Sequence, residues 1–237
     1  MTTSLSKIPK VRLFYCSAVQ YKLPRLTGNC SCITISGIGS HAFGSWQPSG
    51  GDKQFMWIRD ALPKFFPFAR PILYGYDTQL CNAYSFQRVP DIALTLVNHL
   101  RVMVNSSPTK RPLVFITHSL GGIVLKEALV CLSGSLNTRD LELLEAISGA
   151  IFFGVPNHGM VIDHLIALAS GWPNQYLIED LKEGSWYLTN LDHSFSSLSR
   201  DKSFFWGYET KESIIPVVCH PTQPVVKTHD YLRCTLA

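Results

Sequence analysis

A serine stands where a strand-like segment gives way to a helix-like one. The apolar residues 113–116 are followed by Thr-His-Ser-Leu-Gly-Gly at 117–122 and then by apolar residues with helical spacing. This order is typical of the sharp turn that lifts a nucleophilic serine above a sheet. A serine hydroxyl attacks a carbonyl carbon only when a neighbouring base takes its proton. Ser119 is therefore the candidate nucleophile, although Thr117 replaces the first glycine of the usual G-x-S-x-G pattern.

A second glycine-containing segment could stabilise the negative charge that acyl transfer creates. Ser-Gly-Ile-Gly-Ser-His at 36–41 follows the first apolar run, and a glycine lets a backbone N–H approach an oxyanion because no Cβ is in the way. The N–H groups of Ile38 and Leu120 are the predicted donors. The segment lacks the Lys-Ser/Thr ending of a phosphate-binding loop and the spacing of a dinucleotide fingerprint. We expect His41 to pack or hydrogen-bond rather than to act in catalysis.

The acid and the base of a catalytic triad should follow the serine along the chain, in that order. Glu209 comes directly after the strand-like residues 203–208, where a carboxylate could orient an imidazole and stabilise its positive charge. Two histidines follow. His229 lies beyond the last apolar run at the reach of a loop, whereas His220 adjoins that run. We predict Ser119, Glu209 and His229 as the triad. The alternatives for the base are His220 or no functional base, and those for the acid are Glu212, Asp201 and Asp192.

The elements that would hold these residues alternate between strand-like and helical patterns. Apolar runs rich in β-branched and aromatic residues predict strands over 32–38, 71–76, 113–116, 150–155, 203–208 and 214–219. Helical spacing predicts helices over 91–104, 123–132 and 140–146, the first capped by Asp91, and further helices between 160 and 199 that partly cover the site. The alternation predicts an α/β fold. Its sheet is doubly wound and mostly parallel, with helices on both faces and the site at the carboxyl ends of the strands.

Length and composition limit the classes of protein further. The 237 residues suit one α/β domain, predicted over 32–237, preceded by a basic tail or leader over 1–31. The seven cysteines lack the spacing of a zinc site or a redox pair, so no metal is expected. No apolar run approaches the roughly eighteen residues of a membrane span. No basic, aromatic groove indicates a nucleic-acid partner, and no feature identifies a protein partner.

Charge is distributed unevenly along the chain. Five basic side chains lie in the first 51 residues, and all 17 acidic residues follow them. An acid-free leader of this kind is typical of organelle-targeting segments and of patches that meet anionic lipid. A poorly ordered tail is the alternative, because Pro9 and Pro24 would interrupt an amphipathic helix. We predict an intracellular protein with peripheral membrane contact, at the mitochondrion or the endoplasmic reticulum.

Several segments together resemble the serine-esterase, lipase-like family of α/β-hydrolases. The similarity is carried, in order, by residues 36–46, 56–63, 73–78, 117–122, 152–159 and 208–210. Within that family the segments are most similar to the fungal branch, which is related to serine active-site-containing proteins and whose domains also occur at the N-terminus of NACHT and repeat proteins. The resemblance implies an α/β-hydrolase fold, Ser119 as nucleophile, an ester or lipid substrate and no cofactor.

The sequence also departs from the family pattern. Asn157 stands where relatives have a histidine, and His158 follows one place later. We predict that these two residues line the substrate pocket together with Gly37 and His118. Relatives continue further beyond residues 208–210 than this chain does, so we expect a short or incomplete C-terminus. The leading hypothesis is a serine esterase or lipase-like hydrolase of lipid metabolism. The alternative is a catalytically degraded hydrolase domain that serves as a binding or signalling module.

Deleting residues 1–25 tests the role of the basic leader. We expect the shortened protein to be released from anionic liposomes while ester hydrolysis is unchanged, because the positive charge that attracts the lipid is lost. Co-sedimentation with liposomes at low and high salt measures the release. The same distribution before and after the deletion would favour a tail with no membrane role.

Overall fold

A parallel sheet forms the centre of the structure, a computed structural model that describes residues 29–48, 52–80, 83–107, 110–198 and 202–208 and the short strands at 213–214 and 231–232. The sheet comprises β1 (Cys30–Ile35), β2 (Ala69–Tyr74), β3 (Leu113–His118), β4 (Ile147–Phe153) and β5 (Ser203–Gly207). The strands lie in the order β2-β1-β3-β4-β5, and every neighbouring pair is parallel. The chain therefore winds outward in both directions from the β1/β3 boundary, which confirms the predicted doubly wound sheet.

Both faces of the sheet are covered, which explains why its strands read as continuous apolar runs. Ile33 and Ile35 of β1 and Phe115 of β3 face the larger core. Cys32 and Ile116, at the intervening positions, face a smaller one. Alternate side chains on a strand point to opposite faces, so each run contributes to both cores.

Helices lie against each face of the sheet. The smaller core is closed by the short helices α1 (Trp57–Asp60) and α2 (Leu62–Phe65) and by a 3₁₀ turn at Gly44–Trp46. The larger core is closed by α3 (Val89–Asn105), α4 (Leu120–Ser133), α5 (Thr138–Ala146), α6 (Asp163–Ala169), α7 (Gln175–Glu179) and α8 (Trp186–Leu198). Helix α4, which follows Ser119, is buried along most of its length and contacts α3, α5 and α8. Helices α3 to α8 form what we call the larger helical layer. The serine turn leads directly into α4, the central helix of this layer.

The element boundaries differ from the sequence-based expectations. The first strand begins at Cys30 and ends at Ile35, so residues 36–38 belong to the loop that follows. Placing Asp91 at the cap of α3 is wrong, because the helix begins earlier and its N-cap is Arg88. Asp91 lies in the first turn of the helix, where its side chain accepts a hydrogen bond from the Arg88 N–H at 2.9 Å. Of the predicted strand over 214–219, the described part belongs to β6 (Ser213–Ile214), which pairs antiparallel with β7 (Tyr231–Leu232).

An ion pair between α3 and α5 ties the larger helical layer together. Arg101 Nε and Nη2 donate to the carboxylate oxygens of Asp140 at 2.7 and 2.8 Å, and Ser135 Oγ donates to the same carboxylate at 2.6 Å. Asp140 is buried, whereas the Arg101 side chain is 35% exposed. The Arg101 guanidinium, followed by the Ser135 hydroxyl, holds the pKa of Asp140 below its usual value.

We predict that Asp140→Asn lowers the free energy of unfolding by about 1–3 kcal/mol at neutral pH, because it removes the buried carboxylate to which Arg101 and Ser135 donate. A lowered carboxylate pKa adds stability above the pKa of the unfolded chain, about 3.9. That stability is lost as the pH falls through the folded-state pKa. Urea denaturation should therefore show wild type and variant converging below about pH 4. An unchanged difference between them at low pH would contradict this account.

Candidate active site

Ser119 occupies a strained turn between β3 and α4. Its backbone has φ 52° and ψ −128°, and it is the one non-glycine residue with positive φ in the described part of the chain. The Ser119 N–H donates to the Phe153 carbonyl at 2.9 Å, and the Ser119 carbonyl accepts from the Gly122 N–H at 2.9 Å. Such a conformation persists only where its surroundings impose it, and it is commonest at functional sites. The geometry is that of a turn that presents a serine at the end of a strand.

Two glycines allow α4 to begin immediately after the serine. A Cβ on Gly121 would lie 2.5 Å from the Ile35 carbonyl oxygen, and one on Gly122 would lie 2.2 Å from Val155 Cγ2. Neither position leaves room for a side chain. Thr117, where the usual pattern has glycine, is fully buried and its Oγ1 donates to the Ile151 carbonyl at 3.3 Å. The threonine is therefore accommodated within the sheet and does not obstruct the turn.

The loop after β1 passes directly beside the serine. A Cβ on Gly37 would lie 2.8 Å from Ser119 Cβ and 3.2 Å from its Oγ. Tyr76 Oη fixes the start of the loop by donating to the Ser36 carbonyl at 2.9 Å, and the Gly39 N–H donates to the Thr78 carbonyl at 2.8 Å. Gly37 is thus placed where only a residue without a side chain allows the loop to approach Ser119.

The two predicted oxyanion donors flank this contact. Ile38 follows Gly37, and Leu120 follows Ser119 at the first position of α4. Within the described residues, neither of these N–H groups donates a hydrogen bond. Leu120 is completely buried and Ile38 packs against the larger core, so both residues are held in place by their side chains. Their role as oxyanion donors stays a prediction.

Of the predicted pocket residues, the structure brings Gly37 and His118 to the serine. A Cβ on Gly37 would lie 3.4 Å from His118 Nδ1, so the imidazole, at the end of β3, lies against the loop after β1. Asn157 is engaged elsewhere, because its Oδ1 accepts from Lys126 Nζ at 3.0 Å. His158 is exposed, and its carbonyl accepts from the Gly184 N–H at 3.1 Å.

Other polar residues near these loops organise the backbone. His41 Nδ1 accepts from the N–H groups of Phe43 and Gly44 at 3.2 and 3.3 Å. This agrees with the hydrogen-bonding role expected from the sequence. Asp77 Oδ1 accepts from the Gln79 N–H at 3.0 Å. Both side chains therefore shape turns beside the site.

Lys126 is a buried lysine on α4 that donates to Asn157 and to Asp192, and the sequence did not predict its burial. Lysine is almost never fully buried without a partner, and a single lysine in a helix ordinarily indicates a solvent-facing position. The apolar residues on both sides of Lys126 could have indicated a buried position, because Ile-Val-Leu precedes it at 123–125 and Ala-Leu-Val follows at 128–130.

The predicted acid and base, Glu209 and His229, lie outside the described residues, as does His220. The sheet nevertheless fixes where the chain leaves β5. His118 is paired with Phe153, and Phe153 with Gly207, in adjacent strands. Because all these strands are parallel, the end of β5 lies at the same edge of the sheet as Ser119. Glu209 follows that end by two residues, so its place in the triad stays a prediction that the strand order supports.

The one sizeable cavity described here lies away from Ser119, and neither a metal site nor a membrane-spanning helix was found among the described residues. A cavity of about 250 Å³ is lined by Arg101, Asn105 and Arg139 among others, at the C-terminal end of α3 and hence at the opposite edge of the sheet from Ser119. Among the described residues, no group of three or more His, Cys, Asp or Glu side chains could hold a metal ion. In the same part of the chain, no helix has the length and apolar character needed to cross a membrane.

Comparison with known sequences gives distant relatives. No family model matches the chain. Protein SERAC1 of Homo sapiens is 25% identical over 188 residues, which cover 73% of this chain and 28% of that protein. Protein SERAC1 of Mus musculus is 27% identical over 175 residues, or 68% of this chain and 26% of that protein. The chain thus spans about a quarter of the length of the curated relatives it matches.

Comparison with solved structures gives lipases and esterases. Phospholipase PlaB from Legionella pneumophila, in complex with thio-NAD, has a TM-score of 0.55 and 16% identity, covering 77% of this chain and 38% of that one. The mature lipase BlEst2 of Bacillus licheniformis has a TM-score of 0.50 and 15% identity, covering 76% of this chain and 65% of that one. With the parallel sheet described above, these likenesses show that the chain has the α/β-hydrolase fold.

Replacing Gly37 tests how closely the loop approaches the serine. We predict that Gly37→Ala lowers the free energy of unfolding by about 1–3 kcal/mol, because its methyl group would overlap Ser119. Gly134→Ala, at the end of α4, is the matched control, since a Cβ there meets the Val130 carbonyl oxygen at an ordinary 3.7 Å. Urea denaturation measures the free energy of unfolding of both variants and of wild type. Equal effects of the two substitutions would contradict the close approach.

Proposed function

We propose that the protein is a serine-dependent hydrolase of carboxylic esters or lipids. Ser119 is the nucleophile, the N–H groups of Ile38 and Leu120 form the oxyanion hole, and His229 and Glu209 complete the triad. The observation that carries the proposal is the strained conformation of Ser119 together with the loop of Gly37 placed against its side chain. A turn that served packing alone would gain nothing from holding a serine at positive φ.

The chemistry follows from these positions. Ser119 Oγ attacks the ester carbonyl carbon while its proton passes to the imidazole of His229, and the carbonyl oxygen becomes an oxyanion that the two N–H groups bind. Collapse of this intermediate breaks the bond to the alcohol, which leaves with the proton from the imidazole. Water then attacks the acyl-enzyme by the same path, and the acid is released. Glu209 would orient the imidazole and stabilise its positive charge.

The substrate class rests on the fold and on the character of the neighbours. The similar structures are a phospholipase and a lipase, so an acyl ester is the substrate that we assign to this site. Several apolar side chains near the loops after β2 and α6 are exposed, including Tyr84 and Tyr176, which is compatible with an apolar acyl chain. The intracellular location and the peripheral membrane contact predicted from the sequence belong to the same proposal.

A fluorophosphonate probe separates the enzyme from the alternative, a degraded hydrolase domain that binds or signals. The probe forms a covalent bond only with an activated serine. Labelling of wild type and not of Ser119→Ala supports the enzyme. A folded wild-type protein that takes up no probe would favour the binding or signalling module.

Triad substitutions give the corresponding kinetic prediction. Ser119→Ala and His229→Ala should each lower kcat for short p-nitrophenyl esters by roughly 10⁴-fold or more, because members of a triad act as a unit. The circular dichroism spectrum of Ser119→Ala should be nearly unchanged, since only a hydroxyl is lost.

His220→Ala is the matched control for the base and should cost little activity. A large loss in His220→Ala with none in His229→Ala would refute the assignment of the base. Wild-type rates in Ser119→Ala would refute the mechanism.

A further inference from the structure

Lys126 is a charged side chain in the interior of the larger helical layer. The side chain is 1% exposed, and its Nζ donates to Asp192 Oδ1 of α8 at 2.7 Å and to Asn157 Oδ1 at 3.0 Å. The same nitrogen lies 5.1 Å from the centre of the Phe195 ring and 5.9 Å from that of Trp206. Burial lowers the pKa of Lys126, while the hydrogen bond to Asp192 acts in the opposite direction.

Stability alone does not account for a lysine at this position. Removing an ammonium group from water is costly, and an apolar residue of similar size is often equally stable or more so. The neighbouring residues of α4, such as Leu125 and Leu129, are apolar and buried. A lysine provides what these residues cannot, a directed hydrogen bond to the Asn157 side chain.

Asn157 belongs to residues 154–159, which follow β4 and which we call the β4 loop. Immediately before this loop, the Phe153 carbonyl accepts the Ser119 N–H. Within it, Val155 fills the space where Gly122 has no side chain. Residues 122 and 126 lie on one face of a helix, one turn apart. The chain from Phe153 to Asn157 therefore follows α4 from the serine turn to Lys126.

We propose that Lys126 is a positioning residue whose hydrogen bond to Asn157 fixes the β4 loop along α4. The fixed loop holds Val155 against Gly122 and the Phe153 carbonyl against the Ser119 N–H. Asp192 provides the counter-charge, and the faces of Phe195 and Trp206 stabilise the ammonium group. The kinetic consequence rests on the proposed function of Ser119, whereas the consequence for the loop does not.

Lys126→Met and Asn157→Ala each remove this hydrogen bond. The amides of Gly154, Asn157 and Gly159 donate to the carbonyls of Gly207, Val155 and Pro156, so their hydrogen exchange reports on the order of the loop. We expect faster exchange of these amides in both variants. Labelling of Ser119 by a fluorophosphonate should slow by about ten- to a hundred-fold, because a small displacement of reacting groups has an effect of this size.

Three further variants separate positioning from general stability. Asn157→Asp keeps the acceptor oxygen and should retain the wild-type hydrogen exchange of the β4 loop. Lys202→Met is the matched control, since Lys202 Nζ donates to the Leu144 and Ile147 carbonyls at 2.6 and 2.8 Å, at the far end of β4. It should lower Tm without affecting the β4 loop or the labelling rate. Combining Lys126→Met with Asn157→Ala should add little to either change, because both remove the same contact.

Unchanged exchange of the β4 loop in both single variants would overturn the proposal. The proposal would also be overturned if Lys202→Met accelerated the exchange of the β4 loop as much as Lys126→Met does. Fully additive effects in the double variant would overturn it too. If Lys126→Met does not fold, the exchange of the β4 loop is compared between Asn157→Ala, which removes the hydrogen bond, and Asn157→Asp, which keeps it. A wild-type protein that takes up no probe would contradict the proposed function, while the exchange measurements would still decide the role of Lys126.

Discussion

The backbone conformation of Ser119 is the constraint on which the rest of the site depends. A φ of 52° costs a residue with a Cβ about 1–3 kcal/mol, so neighbouring contacts must hold it. The carbonyl of Phe153 holds its N–H from the end of β4, and the N–H of Gly122 holds its carbonyl from the first turn of α4. The direction of the hydroxyl is therefore set by the parallel sheet and the central helix together.

Close packing around the turn follows from the same constraint. Gly37, Gly121 and Gly122 each lie where a Cβ would overlap a neighbouring atom, so the loop after β1, the start of α4 and the loop after β4 converge on the serine. Ile38 and Leu120 follow directly after the two residues of the closest contact, Gly37 and Ser119. An oxyanion hole needs donors that are already oriented before charge develops, and here the packing of the backbone would supply that orientation.

The sequence predicted the elements whose signal is local and missed the contacts that join distant segments. The strands β1 to β5 were predicted because strands buried on both faces are apolar throughout. Their ends were misplaced because apolar residues such as Ile38 continue into loops that leave the hydrogen-bonded ladder. The candidate nucleophile came from the order of strand, serine and helix. Lys126 could not be assigned, since its partners Asn157 and Asp192 are brought to it only by the fold.

The structure of the protein after reaction with an alkyl phosphonate would test the central claim most directly, because the adduct imitates the tetrahedral intermediate. The account predicts phosphorus bonded to Ser119 Oγ and a phosphonyl oxygen about 2.7–3.1 Å from the nitrogens of both Ile38 and Leu120. Phosphorus on another residue, or a phosphonyl oxygen directed away from these two amides, would contradict it.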